Sequence, residues 1–170
     1  MPAISNYARI KKIQFFIDPI PKDAHVLEIG SGSNWLGEYM KAHGWQNYTG
    51  MDIVPPAEIV GDINNWQQLG IKAKSYDYIV AFEVLEHVDL LNSCWNILKD
   101  DGKLLVTTPV PSKDWVLKLL ESMGLNQKRT SPHSNLIDLD KIKYFKAAFL
   151  KRKLGLSQWA ILVKDTVSQR

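Results

Sequence analysis

The chain has 170 residues and a mass of 19.4 kDa, room for one compact domain with a real core but not comfortably for two. Hydrophobic residues at 45% and charged residues at 23% exclude a disordered chain or a fibrous repeat. A net charge of +3 is too mild to demand nucleic acid, and the single cysteine, Cys94, excludes an intrachain disulfide and any multi-cysteine metal site.

Residues 4–17 predict a helix, with Tyr7, Ile10, Ile13, Phe16 and Ile17 at helical spacing and Pro19 and Pro21 as its stop. Lys11, Lys12 and these prolines interrupt any long apolar run, so no ordinary signal peptide is expected. No stretch approaches the roughly 20 apolar residues of a membrane span. Ala24–Gly30 reads as a first buried strand, Leu36–His43 as a helix closed by Gly44, and Asn47–Met51 as a second strand with Asp52 at its end. Ile59–Asp62 is a short third strand, and Trp66 and Leu69 mark a brief helix before Gly70. Tyr76–Phe82 is a strong buried strand, followed by a helix through Leu90, Leu91, Cys94 and Leu98. Asp101-Gly102 then turns the chain into a strand at Lys103–Thr108, which Pro109 and Pro111 close. Strands alternating with helices make βαβ units, hence a largely parallel α/β sheet whose ligand sits beyond the carboxyl ends of the strands.

The last third predicts a helix at Asp114–Met123 and a polar loop at Asn126–Asn135 holding Lys128, Arg129 and His133. A helix can begin over Asp138–Phe145, with Leu139, Ile142 and Phe145 on one side. Ser157–Lys164 reads as a strand. Ala147–Leu154 is either its hairpin partner, turned at Gly155, or more helix, and the hairpin is preferred because Lys151-Arg152-Lys153 gives no helical face. Cys94 reads as a buried small hydrophobe, which suits a reducing cytoplasm. Trp35, Trp66, Trp95 and Trp159 read as core, while Trp115 is placed to wall a pocket.

The sharpest chemical signal is Glu28-Ile29-Gly30-Ser31-Gly32 directly after a strand, where glycines let the backbone turn tightly and approach a ligand. A dinucleotide fingerprint would need glycine where Trp35 stands, and no Gly-Lys-Ser/Thr phosphate loop occurs. Asp52, at the second strand end, can accept hydrogen bonds from a ribose diol or cap a turn. Asp62 can receive an adenine amino group or cap the segment that follows it.

Together these segments resemble the class I S-adenosylmethionine-dependent methyltransferases, in particular the methyltransferase type 11 group. Val26–Asn34 is similar to the first motif of that family, with Asn34 where many relatives have a third glycine. Met51-Asp52-Ile53 is similar to its ribose-binding segment and Gly61-Asp62-Ile63 to its adenine-side motif. Phe82–Val88 and Leu98–Leu104 are similar to the segments after the fourth strand and before the fifth. The resemblance spans residues 24–111. It implies a Rossmann-like, mostly parallel seven-stranded sheet in the order 3-2-1-4-5-7-6 with an antiparallel last strand. It divides a single domain over 1–170 into an N-terminal helix (1–23), packed near the cofactor mouth, a cofactor-binding core (24–111), and a lid segment with the final strands (112–170).

S-adenosyl-L-methionine is the implied cofactor, held by Glu28, Gly30, Ser31, Gly32, Asp52, Ile53, Asp62, Ile63, Phe82 and Glu83. His87 and His133 are the candidate proton acceptors, whereas His25 and His43 read as structural. No metal is expected, because the four histidines have no ligand spacing. The expected acceptor is a small molecule, a sugar or a lipid headgroup. RNA is the main alternative, because Lys128, Arg129, Lys141, Lys143, Lys146, Lys151, Arg152 and Lys153 cluster late with Tyr144, Phe145 and Phe149 among them. A protein acceptor and a catalytically silent, cofactor-binding protein are further alternatives. Amino-group DNA or RNA methylases that depend on an Asn-Pro-Pro-Tyr motif are not expected, since none follows Phe82.

Overall fold

A computed structural model describes residues 3–110, 138–139, 142–153 and 157–165. Helix α1 (Ala3–Lys12) continues into a π-helical turn at Ile13–Ile17. That wider turn closes with the Asp18 N–H donating to the Ile13 carbonyl at 3.0 Å, and it lays Phe16 and Ile17 into the core. Strands β1 (Val26–Ile29) and β2 (Tyr48–Asp52) flank α2 (Trp35–Ala42), and β3 (Ile59–Val60) follows. Strands β4 (Tyr76–Phe82) and β5 (Leu98–Pro109) flank α3 (Leu91–Ile97), and β6 (Phe145–Lys153) and β7 (Ser157–Lys164) complete the sheet.

The seven strands lie in the order β3-β2-β1-β4-β5-β7-β6. Neighbours from β3 to β5 pair parallel, and β7 runs antiparallel to both β5 and β6. This is the Rossmann-like arrangement that the resemblance implied. β1 is buried at every residue because both faces of a central parallel strand are covered. Leu27, Ile79 and Leu104 face α3 and its Leu91, Cys94 and Ile97. Val26, Val80 and Leu105 face Phe16, Ile17, Leu36, Met40 and Trp159 on the other side.

Four expectations need correction. The helix after β4 stops at Ile97, and Leu98 already belongs to β5. The Asp101-Gly102 turn is instead an irregularity inside that strand, whose pairing jumps from Tyr76–Leu98 to Tyr78–Lys103. Gly102 permits it, since a β-carbon there would lie 3.0 Å from the Asp77 carbonyl. The helix expected around Trp66 and Leu69 gives way to a 3₁₀ turn at Ile63–Asn65; Trp66 and Leu69 pack on the core beyond it. Phe145 opens β6 rather than ending a helix, because it pairs with Lys164 across the hairpin. The preferred hairpin for 147–154 is present in β6 and β7. The helix at 114–123 and the loop at 126–135, with Trp115, Lys128, Arg129 and His133, lie outside the described residues, as does Lys141.

Candidate active site

The sheet order reverses direction at β1 and β4, so the chain leaves these two strands toward opposite sides and opens a crevice at their carboxyl ends. The Gly30-Ser31-Gly32 turn fills that position. The N–H groups of Gly30 and Ser31 donate to the Met51 carbonyl at 2.8 and 3.0 Å, which folds the turn over the end of β2. Gly30 has φ +78°, and a β-carbon there would meet Val84 Cγ2 at 2.6 Å. The segment after β4 therefore packs directly on the turn. Gly32 has φ +50°, and no atom of the described residues lies within 4 Å of a β-carbon built on it. Asn34 adopts φ 58°, so it keeps the left-handed path that a glycine would take.

Asp52 sits half-buried beside this turn. Its Oδ2 accepts from the Gly32 N–H at 2.8 Å, while Oδ1 has only a long 3.4 Å contact from the Val54 N–H. Ile53 is 74% exposed, and Val54 and Val60 are exposed beside it. A large apolar side chain left open next to a carboxylate is the unusual feature here. Asp62 caps the 3₁₀ turn through Oδ1, which accepts from the Asn64 N–H at 2.9 Å, so the capping alternative is realised. The Ile63 side chain is buried in the core rather than at the crevice.

Glu28 lies beneath the turn, 3% exposed, and accepts a short hydrogen bond from the Tyr48 hydroxyl. The same hydroxyl is 3.2 Å from Asn34 Oδ1. Burial pushes the Glu28 carboxyl up to about 7 despite the Tyr48 hydrogen bond, and the Asp52 charge adds to the rise. The folded chain thus holds its Glu28 proton more tightly than the unfolded chain does. Between about pH 4.5 and 7 the native state binds the extra proton, so this group's contribution to stability falls as pH rises. Thermal melts from pH 5 to 8 should show a declining Tm in the wild type and a flatter profile in Glu28→Gln. Equal slopes would refute the assignment.

Phe82 ends β4 half-buried against Phe16, with ring centroids 5.2 Å apart. Glu83 follows with φ 57°, a strained value for a residue with a side chain, held where its N–H donates to the Thr107 carbonyl at 2.7 Å. Its Oε1 accepts from Lys12 Nζ at 2.9 Å and from Thr107 Oγ1 at 2.8 Å. The N-terminal helix is thereby tied to the crevice. Glu86 is 1% exposed and accepts from Thr108 Oγ1 at 3.0 Å. Burial first, then the Glu83 charge, raises its carboxyl to about 7. His87 is exposed on the turn, its N–H donating to the Val84 carbonyl at 2.9 Å.

Thus Gly30, Ser31, Gly32, Asp52 and Ile53 converge on one edge, with Glu28 below and Phe82 and Glu83 beside them. Lys12, Tyr48, Glu86, Thr107 and Thr108 belong to the same region and were not assigned roles from sequence. Among the late basic residues, Lys143, Lys146, Lys151 and Arg152 are exposed. The aromatics between them are not exposed partners: Phe145 is buried, and Phe149 packs at a tilt against Phe15, with ring centroids 4.9 Å apart. Cavities among the described residues adjoin this region and lie away from it. One of about 680 Å³ is bordered by Gly37, Lys41, Trp45 and Tyr48, and one of about 360 Å³ by His25, Asp77 and Lys99 at the opposite end of the sheet.

The fold and this crevice define a class I, Rossmann-like methyltransferase domain. A methyltransferase-domain family model matches residues 4–162, and the chain belongs to that family. It is 32% identical over 105 residues to a ubiquinone biosynthesis O-methyltransferase of Glaesserella parasuis, covering 49% of this chain and 44% of that protein. It is 30% identical over 120 residues to the Coxiella burnetii protein of the same name, covering 61% and 50%. The chain therefore spans about half the length of these relatives. Among solved structures, a protein of Pyrococcus horikoshii superposes with a TM-score of 0.64 at 15% identity, over 94% of this chain and 91% of that one. A TehB-like SAM-dependent methyltransferase of Corynebacterium glutamicum gives 0.59 at 16% identity, over 95% and 97%. These likenesses are of fold.

The cofactor of this class is S-adenosylmethionine, and the residues present fit it. Gly32 leaves open space where a β-carbon would intrude, Asp52 Oδ1 is only weakly engaged, and Ile53 offers an exposed apolar flank for a flat base. Ser31 Oγ is buried with no hydrogen-bond partner among the described residues. Among the described residues no helix is long and apolar enough to cross a membrane.

Proposed function

We propose that the chain transfers the methyl group of S-adenosylmethionine to a hydroxyl of a small acceptor, such as a metabolite, a sugar or a lipid headgroup. The observation that carries this reading is the Gly30–Gly32 turn pinned to Asp52 at the β1/β4 crevice, in a chain of the methyltransferase family. The oxygen acceptor is suggested by relatives named as ubiquinone biosynthesis O-methyltransferases. Glu28, Gly30, Ser31, Gly32, Asp52, Ile53, Asp62, the backbone at Ile63, Phe82 and Glu83 would hold the cofactor, which supplies an electrophilic methyl on a sulfonium. Asp52 would orient a ribose, and Ile53 would exclude water from the base.

Methyl transfer is an in-line displacement, so positioning supplies much of the rate. A hydroxyl must also lose its proton, and His87 or His133 would accept it. The segments 1–23, 24–111 and 112–170 would act as one unit, and the lone buried Cys94 supports a reducing, cytoplasmic setting.

Incubation with S-adenosylmethionine carrying a tritiated methyl, against cell extract separated into small molecules, lipids, protein and RNA, tests the acceptor. Label is expected in the small-molecule or lipid fraction. Label in RNA alone would overturn this choice, and label in no fraction despite cofactor binding would favour a silent protein.

A further inference from the structure

Lys12 reaches from α1 into the crevice. Its ammonium is 2.9 Å from Glu83 Oε1 and 5.2 Å from the centre of the Phe82 ring, and its side chain is 14% exposed against 42% for Glu83. A carboxylate together with an aromatic face is the arrangement that recognises an organic cation. Two further features make this more than a surface ion pair. Glu83 Oε1, the oxygen that faces Lys12, also accepts from Thr107 Oγ1 at 2.8 Å, and the residue's left-handed backbone fixes where its side chain starts. The next residue, Val84, packs against Gly30, so the carboxylate belongs to the same crevice as the glycine turn. Glu86 adds a second carboxylate whose titration also feels the Lys12 charge.

We infer that Lys12 is an internal counter-cation occupying a cation subsite formed by Glu83 and Phe82, and that a cationic ligand must compete with it for the Glu83 carboxylate. The inference rests on the methyltransferase reading and deepens it. The substrate form of the cofactor carries a sulfonium, and the demethylated product carries a neutral thioether; the two otherwise share their charged groups. Lys12 therefore sets the preference between them. It neutralises Glu83 and repels the sulfonium, which weakens the substrate form relative to the product. The same pair ties α1 to the crevice, so a cation that takes Glu83 also releases the helix from it.

Calorimetric titration of the full chain with S-adenosylmethionine and with S-adenosylhomocysteine tests this, using wild type, Lys12→Met and Lys12→Arg. Methionine keeps the packing over Phe82 without the charge, and arginine keeps the charge. Lys12→Met should bind the sulfonium about three- to fivefold more tightly, as a partly exposed pair allows. Its affinity for the thioether should move less than about twofold, and Lys12→Arg should keep the wild-type ratio. An unchanged ratio in Lys12→Met, or an equal change for both ligands, overturns the inference while leaving the cofactor reading intact. Binding of neither ligand to the wild type overturns both.

Discussion

Asp52→Ala should weaken binding of S-adenosylhomocysteine by about 1.5–3 kcal/mol, roughly ten- to a hundredfold, in a calorimetric titration. Two losses combine. The carboxylate is the acceptor proposed for a ribose diol, and its Oδ2 also pins the Gly32 N–H at 2.8 Å. Removing it takes away the ligand's partner and lets the glycine turn drift from its place over β2. Asp52→Asn retains one acceptor oxygen without the charge, so an intermediate loss is expected. The melting temperature should move little in either variant, because Asp52 lies half-buried at the end of the strand rather than in the core. Undiminished binding in Asp52→Ala would remove Asp52 from the site.

The two glycines of the turn should respond oppositely to alanine. Both have positive φ, which costs a residue with a side chain about 1–2 kcal/mol. At Gly30 the new methyl would also strike Val84 Cγ2 at 2.6 Å, and overpacking of that kind adds about 1–3 kcal/mol. Gly30→Ala should therefore lower Tm by roughly 5–15 °C. At Gly32 the methyl meets no described atom, so Gly32→Ala should cost only a few degrees. It should instead lose cofactor affinity, because its methyl occupies the space the ligand needs. Gly30→Ala thus probes the fold, and Gly32→Ala the proposed ligand contact.

The sequence carries β1 and β4 plainly, because a central parallel strand covered on both faces must read as a continuous apolar run. The start of β5 is hidden for the converse reason. Lys99, Asp100 and Asp101 look like a turn, yet the strand carries them past Asp77, whose carboxylate pairs with Lys99 at 2.7 Å. Phe145 is ambiguous in the sequence because apolar residues three apart suit a helix as well as the start of an edge strand. Asp52 and the glycine turn were legible, since local chemistry at a strand end announces them. Lys12 was not: its partner is 71 residues away, and nothing local distinguishes it from Lys11. Tyr48 was hidden likewise, because its hydroxyl finds Glu28 only once β1 and β2 pair. At Ile63 the 3₁₀ turn rotates the side chain into the core, which leaves its backbone as the part that faces outward chemistry in the proposal.

The most direct measurement is calorimetric titration of the wild-type chain and of Gly32→Ala with S-adenosylhomocysteine, with a thermal melt of each. Saturable binding to the wild type is expected, with binding lost in Gly32→Ala while its Tm stays within a few degrees. No binding by the wild type at millimolar ligand, or equal binding by both chains, would contradict the placement of the cofactor on the glycine turn.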